Sequence, residues 1–430
     1  MTIAPGVRTL EQHRDEVTAL LTPLIESLSG RFEGVNLADP DALGRVLATA
    51  ITAHSPVPAF DNSQMDGYAV CAADLLRASN ENPVTLPLGL TAAAGDAPVV
   101  HASRTASPVM TGAAIPVGAD AVVPVEATMS PEFPELVRAV EQTSGRTPAG
   151  SATFLEPVTH GAFVRFAAED IAVGDTVLDA GTRLTPARIG AAAAVGVTRA
   201  QVRPRIQVLL CATGDELTHG AQTTLSQGHI YDANTPMLAA ALRELGAEVR
   251  VVRTGDNPDE FLRALHGVTG EYHLVVTSGG ISKGAYEVVR AALAPLGVWF
   301  GSVAMQPGGP QGLGEIDSSS GRVPVLCFPG NPVSSLLSLE LFLAPTLKGL
   351  AGRSTTPDIA HLPLAHDVDS PPAKHQIRRG SVNSDGTVSL SGPGSHLIGD
   401  LAAADVLVHL PVGLAHAEAG TTVETWRFND

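Results

Sequence analysis

Apolar positions along the chain change their period several times, and each change predicts a different element. Leu10, Val17, Leu20, Leu21, Leu24, Ile25 and Leu28 recur at helical spacing, so residues 9–28 read as an amphipathic packing helix. Asp41 to Ala50 reads as a second helix. From about 55 to 160, short Val-rich runs are broken by Pro83, Pro87, Gly95, Pro98, Gly112 and Pro116, a β-rich texture with many turns. Residues 161–184 alternate in strand fashion around Gly174 and Gly181. Thr185-Pro186 then opens a short alanine-rich helix, with Thr as N-cap and Pro in the first helical position.

Residues 205–348 carry the clearest pattern. Strands are expected at Ile206–Cys211, Glu248–Val252, His273–Thr277, Val298–Val303 and Val323–Phe328. Between them lie helices from Thr235-Pro236 to Gly246, after Asn257-Pro258, over Ala285–Leu293, and from Pro332 to about Leu347. Such alternation builds βαβ units and a mainly parallel sheet with helices on both faces. Beyond Pro357 the chain returns to β texture with no clear helix, which predicts a small barrel or sandwich. The shifts in texture place boundaries near 60, 160, 205 and 355.

Composition narrows the function. The chain has 430 residues and a net charge of −17, which disfavours nucleic acid and anionic membrane surfaces as partners. Only Lys283, Lys348 and Lys374 are lysines. Cys71, Cys211 and Cys327 are few and far apart, a pattern of buried thiols rather than of disulfides or a zinc site. The charged run from Glu11 to Glu16 does not resemble a targeting segment, and no stretch of about 18 consecutive apolar residues occurs. A cytoplasmic protein is the expectation.

In an open parallel sheet, ligands bind beyond the carboxyl ends of the strands. The segments expected there are Ala212–Leu217, Thr254–Asn257, Ser278–Gly284, Gln306–Gly312 and Pro329–Ser335, which gather acids, hydroxyls and glycines at one rim. Glycines admit close backbone approach, and N–H groups at helix starts hold an oxyanion without lysine. Glu216, Asp256 and Glu287 would lie beside that anion, an arrangement that makes electrostatic sense if Mg²⁺ bridges carboxylate and phosphate. No nucleophile elbow, Walker loop or His-Glu-x-x-His pair occurs. His219 and His229 read as exposed loop residues, and Gly394-Ser395-His396 as a turn able to contact an anion. A further dense polar stretch, Phe60 to Ala69, reads on composition alone as a packed turn.

Taken in order, Phe60-Asp61-Asn62-Ser63-Gln64-Met65-Asp66-Gly67-Tyr68-Ala69, Met110–Pro116, Glu169-Asp170-Ile171, Thr213–Leu217, Ile230–Asn234, Ser278–Ser282 and Pro329–Ser334 resemble the molybdopterin molybdenumtransferase family, the molybdenum insertases related to the gephyrin C-terminal domain. The resemblance spans nearly the whole chain. It implies an α/β and β multidomain fold: an elongated helical/β region from 1–60 plus 161–204, a β-rich insert at 61–160, a mainly parallel α/β domain at 205–350 that binds molybdopterin, and a C-terminal β-barrel at 356–430. It implies a homodimer whose site is shared between the α/β domain of one subunit and the insert of the other. The implied reaction inserts molybdate into adenylylated molybdopterin (molybdopterin-AMP) and releases AMP, with Mg²⁺ required.

Carried over by motif, Asp66, Asp170, Glu216, Asp256 and Glu287 are the catalytic candidates, with Glu216 and Asp256 as metal ligands. Thr111, Arg165, Ser278, Gly279, Gly280, Ser282, Pro329, Gly330, Asn331 and Pro332 are the substrate-binding ones. The implied protein partners are the molybdopterin adenylyltransferase and recipient molybdoenzymes. The sequence departs from the family pattern at Gln306-Pro307-Gly308-Gly309-Pro310, where Lys-Pro-Gly-Lys-Pro is usual, at Glu287 for Asp, at Arg290 for Lys, and at Arg165–Ala168, which is poorer in arginine. A non-catalytic pterin-binding or partner-docking scaffold of the same fold is the competing expectation, and an enzyme for tungstate or another nucleotide-linked cofactor is a third.

Overall fold

A computed structural model describes residues 6–142, 145–218, 224–267, 271–282, 284, 287–319 and 321–428. The run Gln207–Thr213 is almost wholly buried and lies inside a six-stranded sheet. It pairs in parallel with Glu248–Thr254 on one side and with Leu274–Ser278 on the other, and Leu274–Ser278 pairs in parallel with Gly321–Phe328. The sheet then reverses. Pro310–Ser318 runs antiparallel to Gly321–Phe328, and Trp299–Ser302 antiparallel to Pro310–Ser318. Sequence pattern finds the other five strands and misses Pro310–Ser318, because its glycines at 312 and 314 break the apolar run. Those glycines are required where they stand. A Cβ on Gly312 would come within 2.7 Å of the Phe300 ring, and one on Gly314 within 3.0 Å of the Val298 backbone.

Two apolar cores sandwich this sheet, as expected for helices on both faces. On one face the helix Asn234–Glu244 and the segment Pro332–Leu350 pack; on the other lie Pro258–His266 and Val288–Leu293. Asn257 caps its helix, its side chain accepting from the N–H groups of Asp259 and Glu260, both at 3.0 Å. The helix expected from Ala285 begins at Val288, with residues 285–286 outside the described residues. Pro332–Leu350 contains a π-helical turn at Leu339–Leu343, and it is long and apolar enough to cross a bilayer. Most of it is buried in the core of this domain instead.

The helix Leu10–Ser29 forms as expected, closed by a capping box between Thr9 and Gln12. Its apolar stripe packs on the α/β core, beside Leu343 and Leu347, rather than with residues 30–60. The expected helix Asp41–Ala50 does not form. Only Pro40–Ala42 is helical, as a 3₁₀ turn; Gly44 then takes a φ of 79°, and Val46 and Leu47 pair with Arg183 and Val202. These contacts build a small core that joins residues 35–57 to 171–202, with the helix Pro186–Ala194 upon it. Residues 62–164 are β-rich throughout, and a three-stranded sheet of Ser107–Val109, Gly67–Val70 and Ala121–Pro124 anchors their core.

After residue 358 the strands His375–Val382, Val406–Leu410, Thr422–Arg427 and Ile359–Pro363 pair in that order, Met305–Gln306 adds a strand beside His375–Val382, and Val388–Leu390 also joins His375–Val382. A bridge from Leu364 to Val388 links the far end of this run back to its start. One short helix, Ile398–Ala402, interrupts the β texture, against the expectation of none.

Candidate functional site

Beyond the carboxyl ends of the parallel strands lies a cleft of about 1140 Å³. All five rim segments named from the sequence line it. Glu216, Asp256, Ser278, Gly279, Gly280, Ser282, Glu287, Pro329, Gly330, Asn331 and Pro332 are all on its wall. Gly279 and Gly280 take φ of 96° and 66°, and a Cβ on Gly280 would stand 3.0 Å from the Val289 nitrogen. Only glycine fits that bend.

The rim segments are tied to one another. The Asp215 N–H donates to Asp256 Oδ2 and the Asp256 N–H to Asp215 Oδ1, both at 3.3 Å, which locks the first two together. Asn234 Nδ2 donates to Ser278 Oγ at 2.9 Å and to the Gly330 carbonyl at 2.6 Å, coupling two more. The Ser282 N–H donates to Glu287 Oε2 at 2.7 Å. Three carboxylates lie directly over glycines, where a Cβ would have to push the carboxylate aside: Glu216 over Gly214, Asp215 over Gly255, and Glu287 over Gly284. Sequence reasoning missed Asn234 and Asp215 as coupling residues, although both stood inside quoted motifs. A polar side chain beside a helix start signals capping more readily than a bridge between distant loops.

Charge enters the cleft from another region. Met305–Gln306 pairs in parallel with His375–Gln376, and Gln306 Oε1 accepts from Gln376 Nε2 at 2.9 Å. This pairing brings Lys374 to the wall, and the Gly394–His396 turn completes it. The lysines absent from Gln306–Pro310 are thus offset by one cation from the C-terminal β region. Lys283 lies outside the described residues.

Asp66, Thr111, Arg165 and Asp170 do not line this cleft. Asp66 Oδ1 accepts from the Thr111 N–H at 2.7 Å and the Thr111 hydroxyl at 2.8 Å. Arg165 sits on a two-residue strand paired with Asn62 and Ser63, and the exposed Asp170 follows it. Phe163 and Ala168, on either side of Arg165, have φ of 54° and 61°, unusual for residues with a Cβ. Phe60, Met65, Phe163 and Phe166, close to these residues in sequence, are exposed.

Among the described residues no three His, Cys, Asp or Glu side chains gather as a metal cage. Glu216 and Asp256 both line the cleft, and a pair of carboxylates is a donor set of the kind Mg²⁺ takes together with water and phosphate oxygens. Cys211 and Cys327 are buried in the sheet, their thiols pushed up to about 12 by burial, so neither is a nucleophile.

Fold and cleft define an α/β protein with a large polar cleft at the carboxyl ends of its parallel strands, extended by a β-rich insert and a β-rich C-terminal region. Comparison with known proteins agrees segment by segment. Residues 8–196 match the MoeA N-terminal region (domain I and II), 210–349 a probable molybdopterin binding domain, and 361–428 the MoeA C-terminal region (domain IV). Molybdopterin molybdenumtransferase 2 of Mycobacterium tuberculosis is 40% identical over 398 residues, covering 90% of this chain and 93% of that protein. The molybdopterin molybdenumtransferase of Synechococcus elongatus is 34% identical, covering 88% and 91%. A crystal structure of the molybdopterin biosynthesis MoeA protein of Pyrococcus horikoshii superposes with a TM-score of 0.77 at 27% identity, covering 99% of this chain and all of that one. The chain belongs to the MoeA family of molybdopterin molybdenumtransferases.

Proposed function

We propose that this chain inserts molybdate into adenylylated molybdopterin and releases AMP together with the molybdenum-loaded pterin. The observation that carries the reading is the cleft itself: acids, glycine-bounded N–H donors and one lysine converge where a phosphoanhydride and an oxyanion can lie side by side. The names of the relatives support it. Ser278, Ser282 and the backbone at Gly279-Gly280 and Gly330-Asn331 would bind oxyanion groups, while Glu216 and Asp256 would hold Mg²⁺. Mg²⁺ would supply positive charge to neutralise the phosphate oxygens as the anhydride breaks. Glu287, held by the Ser282 N–H, fixes the turn that presents Ser282.

In this reading Asp66, Thr111, Arg165 and Asp170 complete the cleft of a second copy in a homodimer. Support comes from their absence from their own chain's cleft wall and from the exposed apolar side chains next to them in sequence, which suit burial against a partner. The same reading divides the chain into 1–60 with 161–204, 61–160, 205–350 and 356–430; apolar cores of their own within residues 35–57 with 171–202, 68–158 and 362–423 support it, whereas the first helix shares the core of the α/β domain.

Substituting Glu216→Gln keeps shape and removes charge. Turnover should fall about 10²-fold with KM for the pterin changed little and the unfolding midpoint retained. Unchanged turnover would favour a non-catalytic scaffold.

A further inference from the structure

A second cleft, of about 580 Å³, lies on the opposite side of the α/β domain, where it meets residues 43–46, 183 and 203–206. Six arginines line it: Arg45, Arg183, Arg203, Arg205, Arg243 and Arg353. In a chain of net charge −17 with 27 basic residues, that concentration is a selective placement. Arg45 is committed to the fold. It is buried, donates to the Arg203 carbonyl at 2.8 Å, and pairs with Asp41 and Glu33. Arg205 pairs with Asp41 at 2.8 Å.

None of the other four forms an ion pair among the described residues, although Arg353 is near enough to Glu340 to offset part of the rise that burial gives that carboxyl's pKa. Arg243 and Arg353 donate only to backbone carbonyls, of Val249 at 3.4 Å and Glu244 at 3.3 Å. Arg183 and Arg203 lie over glycines: Arg183 Nη2 is 3.3 Å from the place of a Cβ on Gly44, and Arg203 Nη2 is 3.7 Å from one on Gly181. Both glycines have positive φ, so the guanidinium groups lie over tight turns. Of the two acids on the wall, Glu248 already accepts from Gln207 Nε2 at 2.6 Å, leaving Glu244 as the remaining carboxylate.

We propose that this cleft is a second anion site, built for a multiply charged tetrahedral oxyanion such as a phosphoryl group. Guanidinium forks match phosphate oxygens two at a time, and the volume lies in the range of small-molecule sites. Arg183 and Arg203 come from the region built on residues 35–57 and 171–202, Arg243 and Arg353 from the α/β domain. A bound oxyanion therefore bridges the two and favours the orientation in which they meet.

The test is calorimetric titration of the full chain with pyrophosphate, ATP and molybdate separately. The three ligands distinguish a phosphoryl source from a free inorganic oxyanion. At least one should bind, and the R183A/R203A double variant should bind it at least tenfold more weakly, while Ser282→Ala in the first cleft leaves that binding in place. Where the double variant fails to fold, Arg203→Gln alone should give a clear loss. The proposal is overturned if none of the three binds, if the binding that persists in Ser282→Ala is unchanged by the arginine substitutions, or if no binding persists in Ser282→Ala.

Discussion

His13 lies on the buried stripe of the first helix, its ring 4.6 Å from that of Phe342 and 5.7 Å from that of Trp299. Burial, assisted by the nearby Arg8 guanidinium, pushes its pKa down to about 3. The sign of the linkage follows. Below its unfolded value near 6.5, the unfolded chain takes up a proton that the folded chain refuses. Stability is therefore full above that value and is lost as pH falls from there towards 3. At pH 5 the loss from this residue is about 2 kcal/mol. His13→Leu also removes a buried Nδ1 that has no partner, so the variant should be close to wild type at pH 7 and flatter in melting temperature from pH 7 to 5. Identical slopes in thermal denaturation would show that His13 titrates normally. Nothing at this scale was legible in sequence beyond the apolar stripe, because a histidine on that stripe looks the same whether buried neutral or exposed.

At the scale of elements, the rim works because its segments are coupled. Asn234, at the start of its helix, reaches Ser278 at the end of one strand and Gly330 after another. Asn234→Ala should cost about 1–2 kcal/mol, since it leaves polar groups at the two ends without their donor. KM for the pterin should rise more than kcat falls, as read from urea midpoints and steady-state kinetics; equal effects would mean that the bridge has no role in binding. The elements themselves were largely readable from periodicity. Gln207–Thr213, Leu274–Ser278 and Gly321–Phe328 are built around short, mostly apolar runs of the kind that strands buried on both faces require. Pro310–Ser318 was hidden by glycines needed for close packing. Asp41–Ala50 was misjudged because helix-compatible residues are held extended by pairing with residues 183 and 202, some 140 to 160 positions away. Long-range pairing of that kind leaves no periodic trace.

At the scale of the whole molecule, the cleft and the Asp66–Thr111 pair were joined by family resemblance, and one chain does not bring them together. A site completed by a second copy has a distinctive consequence. Asp66→Asn and Glu216→Gln chains, each inactive alone, should regain roughly a quarter of wild-type activity when unfolded and refolded together in equal amounts, because half the dimers are mixed and each carries one intact site. No recovery would mean that the two groups act within one subunit or not at all. The neutral Gln306 and Gly309 are the largest departure from the family pattern, and Lys374, next to the strand that pairs with Met305–Gln306, is the structural reason to expect activity in spite of them. The most direct measurement is AMP release from adenylylated molybdopterin by the purified protein in Mg²⁺, with and without molybdate. Molybdate-stimulated release accompanied by molybdenum-loaded pterin is the predicted result; tight pterin binding with no release under either condition would contradict it.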